Sequence, residues 1–336
     1  MKVLGKDKVS ALLDKIAQQA AVFVPMANES GSGFYPWNDE NKAKPLLLNA
    51  LNVYTSPKYI LFPQTERMYD IKQQGQEVSI DKTHEDSSER VIFGARACDA
   101  RAIRSLDDVF LTRGYADSFY KARRDNVTII GNACYNPGVN CFCEAMGVAM
   151  TEPEADIILR DAGDEGYIWE VKTDQGEKLT QAVAEFLSDK EVKTPEAKPF
   201  ITEVDYAGVA EKLKGMFEHP LWEKMSQPCV NCGACTYICP SCHCFDIQVK
   251  MWGDKGYRFR CWDSCMYAEY TAEAGGGNPR PTGVERFRNR FLHKLEFFNE
   301  RYGYSLCTGC GRCTIVCPAG VRITDIIKEI KEVDSS

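Results

Sequence analysis

The sequence contains no G-x-G-x-x-G opening a helix after a strand and no G-x4-G-K-[ST] loop, so it encodes no standard cradle for a flavin, a nicotinamide or a nucleotide phosphate. Gly31-Ser32-Gly33 sits in a turn-rich stretch and carries no such signal. Histidine is scarce: His84, His219, His243 and His293 are the four present, and their scatter leaves no H-E-x-x-H zinc site. No apolar run approaches the roughly 18 residues of a membrane span. The N-terminal segment also lacks the unbroken apolar stretch of an export signal, because Asp14, Lys15, Gln18 and Gln19 interrupt it and no twin-arginine pair precedes it. Val9, Leu12, Leu13 and Ile16 instead fall on the inward face of an amphipathic first helix. Positive charge is in deficit: the net charge of −7 lacks the basic footprint of a nucleic-acid binder.

What remains is an ordinary soluble composition, 44% hydrophobic and 26% charged, in a chain of 336 residues that is long enough for two domains. The expected fold class is α+β, with a mixed α/β domain over residues 1–220 followed by a cysteine-rich domain over 221–336 that carries a long insert at 241–306. In the first domain strands are expected at 59–62, 91–93, 127–130, 157–159 and 167–171, and helices at 102–111 and 179–187. Residues 28–45 read as a long surface loop, 189–199 as a linker and 206–217 as a helix leading into the second domain.

Cysteine is the residue in excess, with 16 in short-range sets. In a large chain without an export signal, such sets read as metal ligands in a reducing cytoplasm rather than as disulfides. One motif occurs twice: Cys229-x2-Cys232-x2-Cys235-x3-Cys239-Pro240 and Cys307-x2-Cys310-x2-Cys313-x3-Cys317-Pro318. This is the spacing of bacterial two-cluster ferredoxins, in which the fourth Cys of each run ligates the other cluster. Three cysteines at two-residue gaps wrap one corner of an iron–sulfur cubane, and the fourth, opening a short helix, points the other way. The expected ligand sets are therefore Cys229, Cys232, Cys235 and Cys317 for one [4Fe–4S] cluster, and Cys307, Cys310, Cys313 and Cys239 for a second. The second domain is thus expected to be a two-[4Fe–4S], ferredoxin-like unit. Gly233 and Gly311 let backbone N–H groups approach the sulfurs, and Pro240 and Pro318 keep the chain from looping back over the cluster. Structural zinc favours separated C-x2-C pairs and fits these runs poorly.

Four further cysteines lie in the first domain: Cys98, Cys134, Cys141 and Cys143. Cys98 and Cys134 follow expected strands, whose ends converge at one edge of a sheet. Cys98 also begins a helix, where the dipole favours thiolate. Cys141 and Cys143 follow a turn at Pro137-Gly138. These four, with Asp99 as a possible substitute ligand, suit a third [4Fe–4S] cluster; a zinc site and small buried residues are the alternatives. The insert holds Cys242, Cys244, Cys261 and Cys265, for which a fourth cluster with His243, free thiols and a redox-active pair all stay open. Residues 280–294 carry five basic side chains, expected on a solvated face that also offsets cluster charge or docks an acidic partner. Phe287, Phe291, Leu295 and Phe298 recur at helical spacing and are expected in the core.

Taken together, Phe93-Gly-Ala-Arg96-Ala-Cys98-Asp99, the run Cys134…Cys141-Phe-Cys143, the split dicluster motif with Cys242-His-Cys244-Phe-Asp, and Trp262-Asp-Ser-Cys265 resemble the β subunit of soluble sulfhydrogenases and the A subunit of anaerobic sulfite reductases. The resemblance runs from about residue 90 to 320; Cys242, Cys244 and Cys265 belong to its pattern and Cys261 does not. It implies a non-catalytic iron–sulfur electron-transfer subunit of a cytoplasmic, oxygen-sensitive (anaerobic) oxidoreductase. Its partners would be a flavin subunit that handles NAD(P)H and a terminal hydrogenase, sulfite reductase or similar redox subunit. The alternative is a redox enzyme in its own right, acting through a cluster or thiol site in the first domain or the insert.

Overall fold

A computed structural model describes residues 1–29 and 31–333. Ser30, in the expected surface loop, and residues 334–336, at the end of the expected second domain, lie outside the described residues. The strands are β1 (Lys2–Leu4), β2 (Ala21–Asn28), β3 (Gly31–Pro36), β4 (Thr65–Gln74), β5 (Glu77–Thr83), β6 (Arg90–Ala95), β7 (Val127–Asn132), β8 (Ile157–Asp161), β9 (Tyr167–Val171), β10 (Leu187–Asp189), β11 (Phe245–Trp252) and β12 (Lys255–Trp262).

An eight-stranded sheet runs in the order β10-β1-β9-β8-β7-β6-β2-β3. Its centre, β8-β7-β6-β2, is parallel, and antiparallel strands close both edges. β6 and β7, Arg-Val-Ile-Phe-Gly-Ala and Val-Thr-Ile-Ile-Gly-Asn, are buried along their whole length, the near-continuous apolar pattern of a parallel strand covered on both faces. The first helix, Val9–Ile16, buries Val9, Leu12, Leu13 and Ile16 as its spacing requires. Helix Ala97–Leu111 covers the sheet with Ile103, Leu106 and Phe110. The register between β6 and β7 shifts between Phe93 and Ala95, where Gly94 has φ +87°. That irregularity re-aims the chain into the helix that carries Cys98.

A second sheet, β11-β12-β4-β5, is antiparallel and joins a hairpin of the insert to a hairpin of the first region, on opposite sides of residue 220. Arg260, 1% exposed, fastens this pairing by donating to Glu66 at 2.6 Å and to Asp117 at 2.6 Å. Main-chain pairing and a buried ion network therefore link the two parts of the chain.

Several local expectations are corrected. Residues 59–62 are not a strand: helix Lys58–Leu61 occupies them, between Pro57 at its N-cap and Pro63. The expected loop at 28–45 contains β3, so Gly31 and Gly33 are strand residues, and Gly33 packs against Thr55 too closely for a side chain. The helix expected at 179–187 is displaced to Asp174–Ala182, capped by the Thr173 hydroxyl, and its final residue is already in β10. The helix at 206–217 shortens to Val209–Leu213. Phe287, Phe291, Leu295 and Phe298 are buried as expected. The basic stretch beside them is not solvated, however: Arg286, Arg290 and Lys294 are 9%, 6% and 3% exposed. They recur every four residues on one face of helix Gly283–Leu292 and the π-helical turn His293–Phe297 that continues it, and Arg290 and Lys294 lie among cysteines.

Candidate iron–sulfur centres

Each copy of the repeated motif winds through a left-handed glycine into a short helix. Gly233 (φ +73°) precedes Ala234–Tyr237 and Gly311 (φ +75°) precedes Arg312–Ile315. The fourth cysteine thus follows its short helix rather than opening it, Cys239 lying two residues beyond Tyr237. At Gly311 a Cβ would come 2.2 Å from the carbonyl oxygen of Asn140, so the second motif loop lies directly on the loop that leads to Cys141.

Cys229, Cys232, Cys235 and Cys317 line one cavity together with Met266, Phe287 and Arg290. Three of these cysteines come from the first copy and one from the second. The amide of Val321 donates to Cys317 Sγ at 3.3 Å. Cys232 is exposed and its neighbour Val230 is 66% exposed, so this cavity opens near the surface. Cys239 is buried and faces the second copy, where its thiolate acts on Cys310 and Cys313. Lys294 Nζ donates to Cys239 Sγ at 3.2 Å and to Ser241 Oγ at 3.3 Å.

The charges around these thiols suit an anionic cluster. Burial pushes the thiols of Cys307 and Cys310 up to about 12 and about 11, so as free thiols they are protonated at neutral pH. A coordinating metal reverses that preference and holds a thiol deprotonated. Burial opposes the charge on Lys294, yet its interactions with Cys239 and then Cys242 outweigh it and raise the ammonium above its ordinary range. Among the described residues neither Lys294 nor Arg290 pairs with a carboxylate, and Arg290 Nε is buried without a hydrogen-bond partner. A set of four thiolates around a cubane is the kind of anion that offsets two such cations. No three His, Cys, Asp or Glu side chains among the described residues converge tightly enough to hold a single metal ion.

The first-domain cysteines meet at the C-terminal ends of β6 and β7. Cys98 enters the helix after β6 and Cys134 follows β7. Cys141 closes a turn with its amide on the Gly138 carbonyl at 2.9 Å. Cys134, Cys141 and Cys143 are charge neighbours of one another, and Cys98 is a neighbour of Cys143 and of Cys310. Asn52 Nδ2 donates to Cys141 Sγ at 3.7 Å. Phe142 N donates to Gly309 O at 2.9 Å, and a Cβ on Gly309 would lie 2.4 Å from Cys143 Cα. The set therefore abuts the second motif. Burial, joined by the Asp99 carboxylate, pushes the Cys98 thiol well above its ordinary value, so the helix N-terminus alone does not make it a thiolate.

Asp99 is engaged elsewhere. Arg312, between Cys310 and Cys313, grips both of its oxygens at 2.6 and 3.1 Å and donates through Nε to Val53 O at 2.8 Å. Both partners are buried. The expectation that Asp99 could replace a cysteine ligand gives way to a structural role. Only the bidentate fit of Arg to carboxylate could have suggested this pair, and 213 residues separate its members.

In the insert, Cys242 neighbours Cys239 and Cys244 neighbours Cys265, each member of a pair shifting its partner's titration. Cys261 stands apart in β12, opposite Asp246 and Thr65. Lys58 Nζ donates to Cys242 O at 3.1 Å, and burial holds its pKa down at about 8. His243 and His293 contact edge to face at 5.4 Å, and burial holds them neutral, at about 4 and about 3.

Comparison with known proteins decides what the repeated motif is. Residues 228–321 match the 4Fe-4S dicluster domain. That match supports iron–sulfur clusters in the repeated motif. Over nearly its whole length the chain is also similar to Sulfhydrogenase 2 subunit beta of Pyrococcus furiosus, with 29% identity over 329 residues that cover 95% of each chain. The resemblance to sulfhydrogenase β subunits read from residues 90 to 320 thus extends into the first 80 residues as well. No solved structure matches the chain. Among the described residues no helix is long and apolar enough to cross a membrane.

Proposed function

We propose that the chain is an iron–sulfur electron-transfer subunit with no turnover of its own, working in the cytoplasm under anaerobic conditions. Its partners would be a flavin subunit that handles NAD(P)H and a terminal redox subunit of the hydrogenase or sulfite reductase kind. The observation that carries this reading is a cavity lined by cysteines of both motif copies, Cys229, Cys232, Cys235 and Cys317. The reading takes these four as ligands of one [4Fe–4S] cluster, Cys307, Cys310, Cys313 and Cys239 as ligands of a second, and Cys98, Cys134, Cys141 and Cys143 as ligands of a third.

When bound, the clusters supply one-electron chemistry. The chain's residues set the spacing, the charge and the route. The first-domain set abuts the second motif through the Gly309–Phe142 contact. Cys239 and Cys317 cross between the two motifs, and Arg290 is buried between Cys235 and Cys313. At the far end Cys232 reaches the surface. The cysteine sets therefore form a file from the C-terminal edge of the large sheet to one exposed face, which suits a relay. Similarity to a protein named as a subunit supports a place in a multi-subunit complex. Turnover tests it: the purified chain, reduced by an artificial donor, is expected to pass electrons to a redox protein but to reduce no small substrate. Catalytic reduction of a small substrate by the chain alone would sink the relay reading.

A further inference from the structure

We propose that Cys244 and Cys265 are a redox-active dithiol that exchanges with small anionic disulfides entering through the cavity above it. The two cysteines line the same cavity, and each perturbs the titration of the other. Their approach is built into the backbone, because β11 and β12 pair from Phe245 and Trp262 onward and Asp263 N donates to Cys244 O at 3.0 Å. The ladder therefore holds Cys244 beside the turn that presents Cys265. Both line a cavity of about 1210 Å³. Its wall carries Arg113, Arg280 and Arg301 against a single carboxylate, Glu300. An excess of guanidinium groups around an open cavity draws anions.

The chemistry balances within the pair and its substrate. The Cys244 thiolate attacks one sulfur of the incoming disulfide, breaking its S–S bond, forming a mixed disulfide and expelling one thiolate. Cys265 then gives up its proton to the first expelled thiolate and attacks Cys244 sulfur, which forms the Cys244–Cys265 bond and expels the second thiolate. The pair loses two electrons and the substrate gains them. Support comes from the environment of Cys244: the neighbouring Cys265 thiol, and after it the Tyr270 hydroxyl, bring its pKa down to about 6, so it is the attacking member. The proposal stands apart from the cluster assignment, except that neither thiol can be a ligand.

The test uses the full chain with its clusters, kept anaerobic. Reduced protein is incubated with glutathione disulfide, an anion, or with cystamine, a cation, then alkylated and mapped by peptide mass spectrometry, with iron measured in parallel. Glutathione disulfide is expected to link Cys244 to Cys265 at unchanged iron. Cys265→Ser is expected to stop at glutathione on Cys244 and to keep its iron. Arg280→Gln is expected to slow the reaction roughly tenfold with glutathione disulfide and to leave cystamine unaffected. The proposal is overturned if both cysteines remain alkylatable. Resistance to alkylation until iron is removed overturns it too, as does loss of one cluster's iron in Cys265→Ser, because each would make the pair cluster ligands. Cystamine reacting as fast as glutathione disulfide removes the anionic substrate class. Low iron in the wild-type chain with exchange intact would count against the cluster assignment instead.

Discussion

Lys294 offers the sharpest test of the electrostatics. Its ammonium lies 3.2 Å from Cys239 Sγ, is 3% exposed and has no carboxylate partner among the described residues. If Cys239 ligates a cluster, an electron added there is stabilised by that charge, and Lys294→Met removes it at nearly constant volume. With the added charge centred about 8 Å away and an effective dielectric of about 20, Coulomb's law gives about 2 kcal/mol. For a one-electron couple that is about 90 mV. The sign is downward, because losing a positive neighbour disfavours the more negative, reduced state. Lys58 moderates the effect: burial and the charge of Lys294 are among the causes that depress its pKa, and it holds its proton better once Lys294 is gone. A redox titration followed by electron paramagnetic resonance is therefore expected to show one centre falling by about 50–100 mV and the others moving little. A rise, or no change in any centre, would refute the placement of Lys294 beside a cluster.

Two further outcomes follow from the site. Cys141→Ser is expected to lose about 4 of about 12 Fe per chain and to keep the signals of the ferredoxin pair; iron at the wild-type level would remove Cys141 from the ligands. Asp99→Asn leaves the Arg312 guanidinium buried against a neutral amide, and breaking such a pair costs about 3–5 kcal/mol. Anaerobic denaturation should show that loss, and a cost under about 1 kcal/mol would mean that Arg312 finds another partner.

The two cysteine runs were legible because C-x2-C-x2-C-x3-C-P is itself the spacing of a dicluster domain, which residues 228–321 match. The central strands β6 and β7 were legible for a related reason, each being a short, uninterrupted apolar run between turn residues. The segment 59–62 shows the limit of that signal: four apolar residues have no readable period, and the flanking prolines allowed one helical turn as readily as a strand. β4, β5, β11 and β12 escaped notice because their sheet is largely exposed, with Val78 and Ile80 at 65% and 63%, and its pairing spans nearly 200 residues through Glu66 and Arg260. Arg290 and Lys294 look like surface residues by type. They are buried among cysteines, and no carboxylate among the described residues pairs with either. Asp99 looked like a ligand because it follows Cys98, and nothing local shows that Arg312 has claimed it.

The central claim is that the cysteines of this chain hold iron–sulfur cubanes through crossed motifs, and metal analysis with paramagnetic resonance on anaerobically prepared protein tests it most directly. The account predicts about 12 Fe per chain, negligible zinc, and reducible centres that interact magnetically because Cys239 and Cys317 lock them side by side. Zinc in stoichiometric amount, with no centre that takes up an electron, would contradict it.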